Sequence, residues 1–428
     1  MRQHIAPKQP SSHRKQRLTQ PVPNPRPRCP SLRAMEQRQL GCSSLSVPVL
    51  CFGTMLFGES TSSDKAMQLM DACMDMGMHF FDTAEMYPVP QRGETSGDSE
   101  RIIGQWMRQR GVPRQSVVLA TKVCGPSGQM TWIRGGPHKV DRANILAAIE
   151  GSLTRLGTDY IDLLQLHWPD RYVPMFGDLD YDPHRAYSGT VPLEEQLEAV
   201  GLAITQGKVR HLGLSNETPY GLTRACLAGR PTSPPCSSPS ASSSPSSSPS
   251  FSPSPLPPSP SPHPSPAAPI PPVTALQNAL SLICRTFTTA GGCAEVCHAQ
   301  GVGMLAYSPL AMGLLTGKYL DPGGGPPEAR LNKYRGRYAE AESRYGPRPN
   351  VAAAVAAYCQ LAHNAGITPT AMAIRWVVHQ PLVTSAVIGA TSTLQLREQV
   401  QAVTAGPLPQ DVLDGIDAIH ALYPNPTP

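Results

Sequence analysis

The chain runs to 428 residues, 40% hydrophobic and 16% charged, which suits one large α/β domain or two ordinary ones. No uninterrupted apolar run approaches the roughly 18 residues that cross a bilayer, so a membrane-spanning helix is excluded. The net charge of +5 comes from one end: residues 1–34 hold eight of the 36 Lys and Arg and no acid, leaving 28 basic against 31 acidic groups elsewhere, which excludes a basic body suited to nucleic acid.

That N-terminal arm, rich in Pro, Ser and Gln, has the composition of an organelle transit peptide. Equally, Met35 is a candidate for the true start. The first reading places the protein in a chloroplast or mitochondrion and the second in the cytoplasm; both are intracellular. From residue 35 short β-rich runs alternate with amphipathic segments. Leu50–Met55 reads as a strand. Asp64–Met76 reads as a helix with Ala66, Leu69, Met70 and Cys73 on one face, Ser63 as N-cap and Gly77 just past its end. Met78–Asp82, Val117–Lys122, Ile161–His167 and His211–Ser215 follow as strands. Between them, helices over Arg101–Arg110, Arg142–Leu156 and Glu194–Gln206 stop at Gly111, Gly157 and Gly207.

A helix from Pro219 ends near Leu227 or Ala228, where an almost pure Ser/Pro tract (231–272) takes over. The tract can bury nothing and reads as disordered or polyproline-like. It also takes the place of the helix's end, which leaves apolar surface on neighbouring strands uncovered. Thr274–Gln277, Met304–Ser308 and Ala386–Gly389 complete eight strands. Strands separated by helices imply parallel pairing through crossovers. The pattern predicts a closed (β/α)8 TIM barrel, one domain over 35–230 and 273–428 interrupted by the insert, with a doubly wound open sheet as the competing architecture. The eleven cysteines, without a secretory signal, read as reduced thiols, and the Cys293/Cys297/His298 group matches no paired zinc spacing, so no metal is expected.

In such a barrel the C-terminal strand ends share one mouth, where catalysis is found. Asp82, Lys122 and His167 end the second, third and fourth strands, and Tyr87 lies on the loop leaving Asp82. Together they suit carbonyl reduction. A phenol can give a proton to the alkoxide formed when C=O is reduced, a close ammonium lowers the phenol's pKa, a carboxylate holds the ammonium, and an imidazole orients the carbonyl oxygen.

The stretches Phe80-Phe81-Asp82-Thr83-Ala84-Glu85-Met86-Tyr87, Ser99-Glu100-Arg101-Ile102-Ile103-Gly104 and Ala120-Thr121-Lys122-Val123 resemble the aldo-keto reductase family, particularly its bacterial Tas-like members. So do Asp159-Tyr160-Ile161-Asp162-Leu163, His167-Trp168-Pro169 and Gly213-Leu214-Ser215-Asn216-Glu217-Thr218. The resemblance implies a catalytic tetrad of Asp82, Tyr87, Lys122 and His167, and NADP(H) lying extended across the mouth without a Rossmann fold. It places Thr54 and Met55 beside the nicotinamide, Ser215, Asn216 and Gln277 on its carboxamide, and Tyr307 stacked on its ring. Ser308, Leu310 and Gly313 would follow the pyrophosphate, with Lys318 and Arg330 near the phosphates. Gly389 and Thr391 would lead into a helix N-terminus that favours an anion, and Gln395 and Glu398 would lie on the adenine side. Trp132, Trp168 and the loop Arg171–Val191 would shape the pocket of a small-molecule carbonyl substrate.

Two patterns are decoys. Gly301-Val302-Gly303-Met304-Leu305-Ala306 precedes a strand instead of opening a helix, and Gly317-Lys318-Tyr319 lacks the rest of a P-loop. Two other functions stay open at this point: a cofactor-binding regulatory subunit, as among the related potassium-channel β subunits, and a Schiff-base enzyme using Lys122. Neither reading specifies an oligomeric state.

Overall fold

A computed structural model describes residues 35–136, 139–175, 177–229, 269–289 and 291–428, all within the unit Leu32–Pro428. The readings made of the basic arm and of the Ser/Pro tract up to residue 268 lie outside the described residues. Eight strands close into a barrel: β1 (Leu50–Gly53), β2 (Phe80–Asp82), β3 (Val118–Val123), β4 (Ile161–Leu166), β5 (Val209–Ser215), β6 (Val273–Ala279), β7 (Gly303–Tyr307) and β8 (Val383–Ile388). All neighbours pair in parallel, and β8 returns to β1 through Ala386–Leu50. The fold is therefore a (β/α)8 TIM barrel, and closure rules out the open sheet.

Strand alternation decides which side chains can reach the mouth. Phe80, Val118, Ala120, Leu163, Ala275, Leu305 and Val387 form one buried cluster inside the barrel, together with Leu40 and Val47. The last two come from a hairpin, Gln37–Gln39 against Ser46–Pro48, which plugs the N-terminal end. Phe81, Leu119, Leu164, Leu276 and Met304 belong instead to the cluster between sheet and helices. With a period of two, Asp82 points the same way as Phe80, Lys122 as Ala120, Gln165 as Leu163, Gln277 as Ala275 and Tyr307 as Leu305. The polar residues at the C-terminal ends are thus the top layer of the barrel interior.

Helices α1 (Ser63–Asp75), α2 (Asp98–Arg110), α3 (Arg142–Leu156), α4 (Leu193–Thr205), α5 (Pro219–Ala228) and α6 (Ala294–Gln300) cover the first six connections. Beyond β7 come α7 (Arg330–Lys333), α8 (Ala339–Tyr345), α9 (Val351–Asn364) and α10 (Pro369–Val378), and after β8 α11 (Thr393–Thr404) and α12 (Gln410–Leu422). None of these helices is long and apolar enough to cross a membrane. The sequence reading needs correcting at two starts. The N-cap of α1 is Ser62, which makes no side-chain capping bond, and α2 begins three residues before Arg101, at Asp98, behind Gly97. Ser99 in that first turn donates to the carbonyls of Thr54 and Phe57, which ties α2 to the loop after β1. Gly104 is required by close packing: a Cβ there would stand 2.6 Å from the carbonyl oxygens of Arg155 and Leu156.

The expected gap beside the insert falls elsewhere. α5 ends at Ala228 as read, and β6 is buried along nearly its whole length. The uncovered apolar surface is on α5 itself, at Tyr220 and Leu227. The described residues begin again at 269, inside the span read as insert, and Ile270 packs against the core. Cys293 and Cys297 are buried on or beside α6, both thiols pushed up by burial, and among the described residues no group of His, Cys, Asp and Glu is placed to hold a metal.

Candidate active site

At the centre of the mouth Lys122 forms an ion pair with Asp82, and both are almost fully buried. The Lys122 ammonium also donates to the Thr83 carbonyl at 2.9 Å. The other Asp82 oxygen accepts from Gln165 at 3.0 Å and Gln277 at 2.8 Å. Both charges are thus compensated, which is the condition under which a buried pair persists. Above them the Tyr87 ring lies 5.0 Å from the Lys122 nitrogen and edge-on to His167, with centroids 5.7 Å apart. Trp168 packs on the other side of His167 at 4.7 Å. The four heads meet at one rim, and Asp82, Tyr87 and His167 line the same cleft.

Burial, reinforced by the Asp82 carboxylate, pushes the Tyr87 phenol well above its ordinary range. The net lowering expected of a phenol beside Lys122 is therefore not found, because burial dominates and Asp82 offsets the ammonium that it holds. Burial, with Lys122 nearby, holds His167 well below the usual imidazole value, and its Nδ1 has no hydrogen-bond partner among the described residues. At rest the site presents a protonated phenol and a neutral imidazole.

The cleft, about 1730 Å³, runs from Tyr87 across β5–β8 to α7 and the start of α11. Ser215 donates to the Gln277 carbonyl at 3.0 Å, and Asn216, in a left-handed conformation, donates to the His167 carbonyl at 2.9 Å. The Tyr307 hydroxyl donates to Asn216 Oδ1 at 2.7 Å. Ser308, Ala311 and Met312 take positive φ, and Gly313 follows at φ 95°. That left-handed run turns the backbone along the cleft wall, with Leu310 beside it. Lys318 and Arg330 come next, and the Lys318 pKa is lowered by burial and by Arg330. Arg330 donates to Met55 Sδ at 3.3 Å, while its buried Nε has no partner among the described residues. Among the described residues neither cation pairs with a carboxylate. Two adjacent, partly desolvated cations without counter-charge fit an anionic group of a cofactor.

At the far end Gly389 and Thr391 are exposed. Thr391 donates to Gln395 at 2.8 Å through its amide, and Glu398 accepts from Thr368 at 3.0 Å. Thr54 is the outlier. It is fully buried and off the cleft wall, its hydroxyl donating to the Asp82 carbonyl. Gln277 lines the cleft, yet its amide is committed to Asp82 and Gln165. Trp132, Trp168 and part of the loop Arg171–Val191 wall the cleft beside Tyr87, together with Met86, Met130 and Tyr334.

Sequence reasoning missed Gln165, Gln399 and Arg344. Gln165 was legible in principle, since it lies in phase with Leu163 just below His167. Gln399 is buried and donates to the Gly389 carbonyl at 3.0 Å. Arg344, on α8, carried no local signal.

Comparison with known proteins agrees with this geometry. The aldo/keto reductase family matches residues 49–238 and 267–421, leaving out most of the Ser/Pro tract. The protein tas of Escherichia coli (strain K12) is 35% identical over 395 residues, 92% of this chain and 100% of its own. An aldo-keto reductase of Babesia bovis is 39% identical over 296 residues, 66% of this chain and 88% of its own. A probable voltage-gated potassium channel subunit beta of Arabidopsis thaliana is 27% identical over 391 residues, 90% of this chain and 96% of its own.

Proposed function

The chain belongs to the aldo/keto reductase family, and from that premise we propose that it is an NADP(H)-dependent reductase of small aldehydes or ketones in which Tyr87 gives the proton. The observation that carries this reading is the Asp82–Lys122 pair buried beneath Tyr87 and His167, on a cleft also lined by Lys318 and Arg330, neither paired with a carboxylate among the described residues. Ser215, Asn216 and Tyr307 would hold the nicotinamide end. The strand-to-helix turn over Ser308, Leu310 and Gly313, with Lys318 and Arg330, would hold the phosphates. Thr391, Gln395 and Glu398 would lie toward the adenine. When bound, the nicotinamide supplies the hydride.

The remaining chemistry belongs to side chains. His167, uncharged and held edge-on to Tyr87, orients the carbonyl oxygen toward the phenol. The resting phenol is a weak acid, so it keeps its proton until the oxygen becomes an alkoxide, a far stronger base. The phenolate left behind lies beside the Lys122 ammonium, whose charge is then worth most. Asp82 keeps that ammonium in place at both stages. A Schiff base at Lys122 is disfavoured by the same contacts, because an ammonium donating to a carboxylate and a carbonyl has no lone pair for attack. Oxidation of NADPH followed by absorbance across a panel of aldehydes and ketones tests the proposal. Turnover with NADPH, and less with NADH, is expected. NADPH binding without turnover on any of them overturns it and favours a regulatory subunit.

A further inference from the structure

Tyr307 is held by a chain of donors that begins outside the cleft. Arg344, on α8, is buried and does not reach the cleft wall. Its Nη1 donates to the Tyr307 hydroxyl at 2.6 Å, the hydroxyl donates to Asn216 Oδ1 at 2.7 Å, and Asn216 Nδ2 donates to the His167 carbonyl at 2.9 Å. The polarity of this chain is forced at both ends, by a guanidinium that only donates and a carbonyl that only accepts. A guanidinium has only donors, so the phenol must accept from it and spend its single proton on Asn216. Asn216 must then present oxygen to Tyr307 and nitrogen to His167. Arg344 thus sets the rotor of Tyr307, and the His167 carbonyl at the other end requires the same orientation of the Asn216 amide.

Arg344 is itself fixed from the far end of the chain. Its Nε donates to the main-chain oxygen of Pro428 at 3.0 Å. That tail is docked: Thr427 is fully buried and donates to the Ile283 carbonyl through its amide at 3.1 Å and its hydroxyl at 3.0 Å. Asn425 accepts from the Arg285 amide at 2.6 Å. Among the described residues no side-chain carboxylate pairs with Arg344. Its buried guanidinium is met by a phenol and a main-chain oxygen, and it lies over the Tyr307 and Tyr345 rings.

We infer that Arg344, braced by the tail over residues 425–428, is a positioning residue for the nicotinamide platform, acting through the Tyr307 hydroxyl on Asn216. The inference rests on the reading that NADP(H) binds along this cleft. A double-mutant cycle of Arg344→Gln and Tyr307→Phe, measured on the full chain, tests it in two ways. In unfolding by denaturant without cofactor, the two substitutions should be non-additive, since each breaks the same bond. In titrations followed by NADPH fluorescence, Arg344→Gln should weaken binding about tenfold, as loss of a charge-assisted hydrogen bond predicts. In the Tyr307→Phe background the same change should weaken binding less than about twofold. Arg344→Lys keeps the charge and one donor, and should recover part of the loss, even if the Gln variant fails to fold. Equal losses in both backgrounds overturn the inference, as does coupling that appears in unfolding but not in NADPH binding. Failure of the wild-type chain to bind NADPH overturns the functional reading instead, and the unfolding cycle still decides whether Arg344 and Tyr307 are coupled.

Discussion

The two sides of the barrel mouth are built differently. On the side of β2–β4 the functional groups are buried side chains on strand ends and the loop after β2, and the charged pair is tightly held: Asp82 takes Lys122, Gln165 and Gln277, and Lys122 also takes the Thr83 carbonyl. On the side of β5–β8 the wall is largely backbone. Asn216, Ser308, Ala311, Met312 and Gly313 all take positive φ, and side chains such as Lys318 and Arg330 stand half-buried beside it. The first side is preorganised for charge and proton movement, where a small displacement costs most. The second is shaped to follow an extended anionic ligand, which needs reach more than rigidity. Chemistry has been placed on the sheet, and binding on what connects it.

This contrast can be broken experimentally, starting where the effect is largest. Lys122→Met leaves Asp82 as an uncompensated buried carboxylate, and should lower the unfolding free energy by about 3–5 kcal/mol. Adding Asp82→Asn should restore most of it, as read by denaturant titration. An unchanged midpoint for the single variant would mean the pair is not desolvated as described. Tyr87→Phe should cut carbonyl turnover at least about 100-fold while NADPH affinity stays within about threefold. Retention of more than a tenth of turnover would remove Tyr87 as proton donor.

His167 offers a pH test of the same side. Its folded pKa is depressed, so the unfolded chain takes up the proton first. Stability is then complete above the ordinary imidazole value near 6.5 and falls as pH drops below it, by up to about 1.4 kcal/mol per pH unit for one such group. His79, His211 and His420 are lowered too and act in the same sense. His167→Gln should flatten the slope between about pH 6.5 and 5, and an identical slope in the variant would contradict its buried, neutral state. On the other side, Gly313→Ala forces φ 95° on a residue with a Cβ, which would stand 2.7 Å from the Lys318 nitrogen. The expected cost is about 1 kcal/mol of stability, with NADPH binding weakened a few-fold because Lys318 must move. A stability loss as large as that from Lys122→Met would show the loop to be as rigid as the strand ends, and would dissolve the contrast.

The same difference decides what could be read in advance. Strand ends with period two and helices stopped by glycine are local patterns, so eight strands and the group Asp82, Tyr87, Lys122 and His167 were legible residue by residue. Thr54 misled because its neighbour Met55 reaches the cleft while its own hydroxyl turns back to the Asp82 carbonyl. The expected lowering of the Tyr87 pKa misled because burial of the phenol dominates and the Asp82 carboxylate offsets the ammonium, neither of which is a local pattern.

From its own pattern the sequence determined a barrel of parallel strands and the chemical types that ring its mouth, because alternation and helix stops act over a few residues. Only the tertiary structure decided which partner Lys122 serves and that Gln277 answers to Asp82. It also decided that Arg344, itself held by Pro428, reaches Tyr307, 37 residues before it. Donor and acceptor pairing between segments remote in the chain leaves no periodic trace, since it is fixed by where closure sets the strands and by the few places a buried charge can be met.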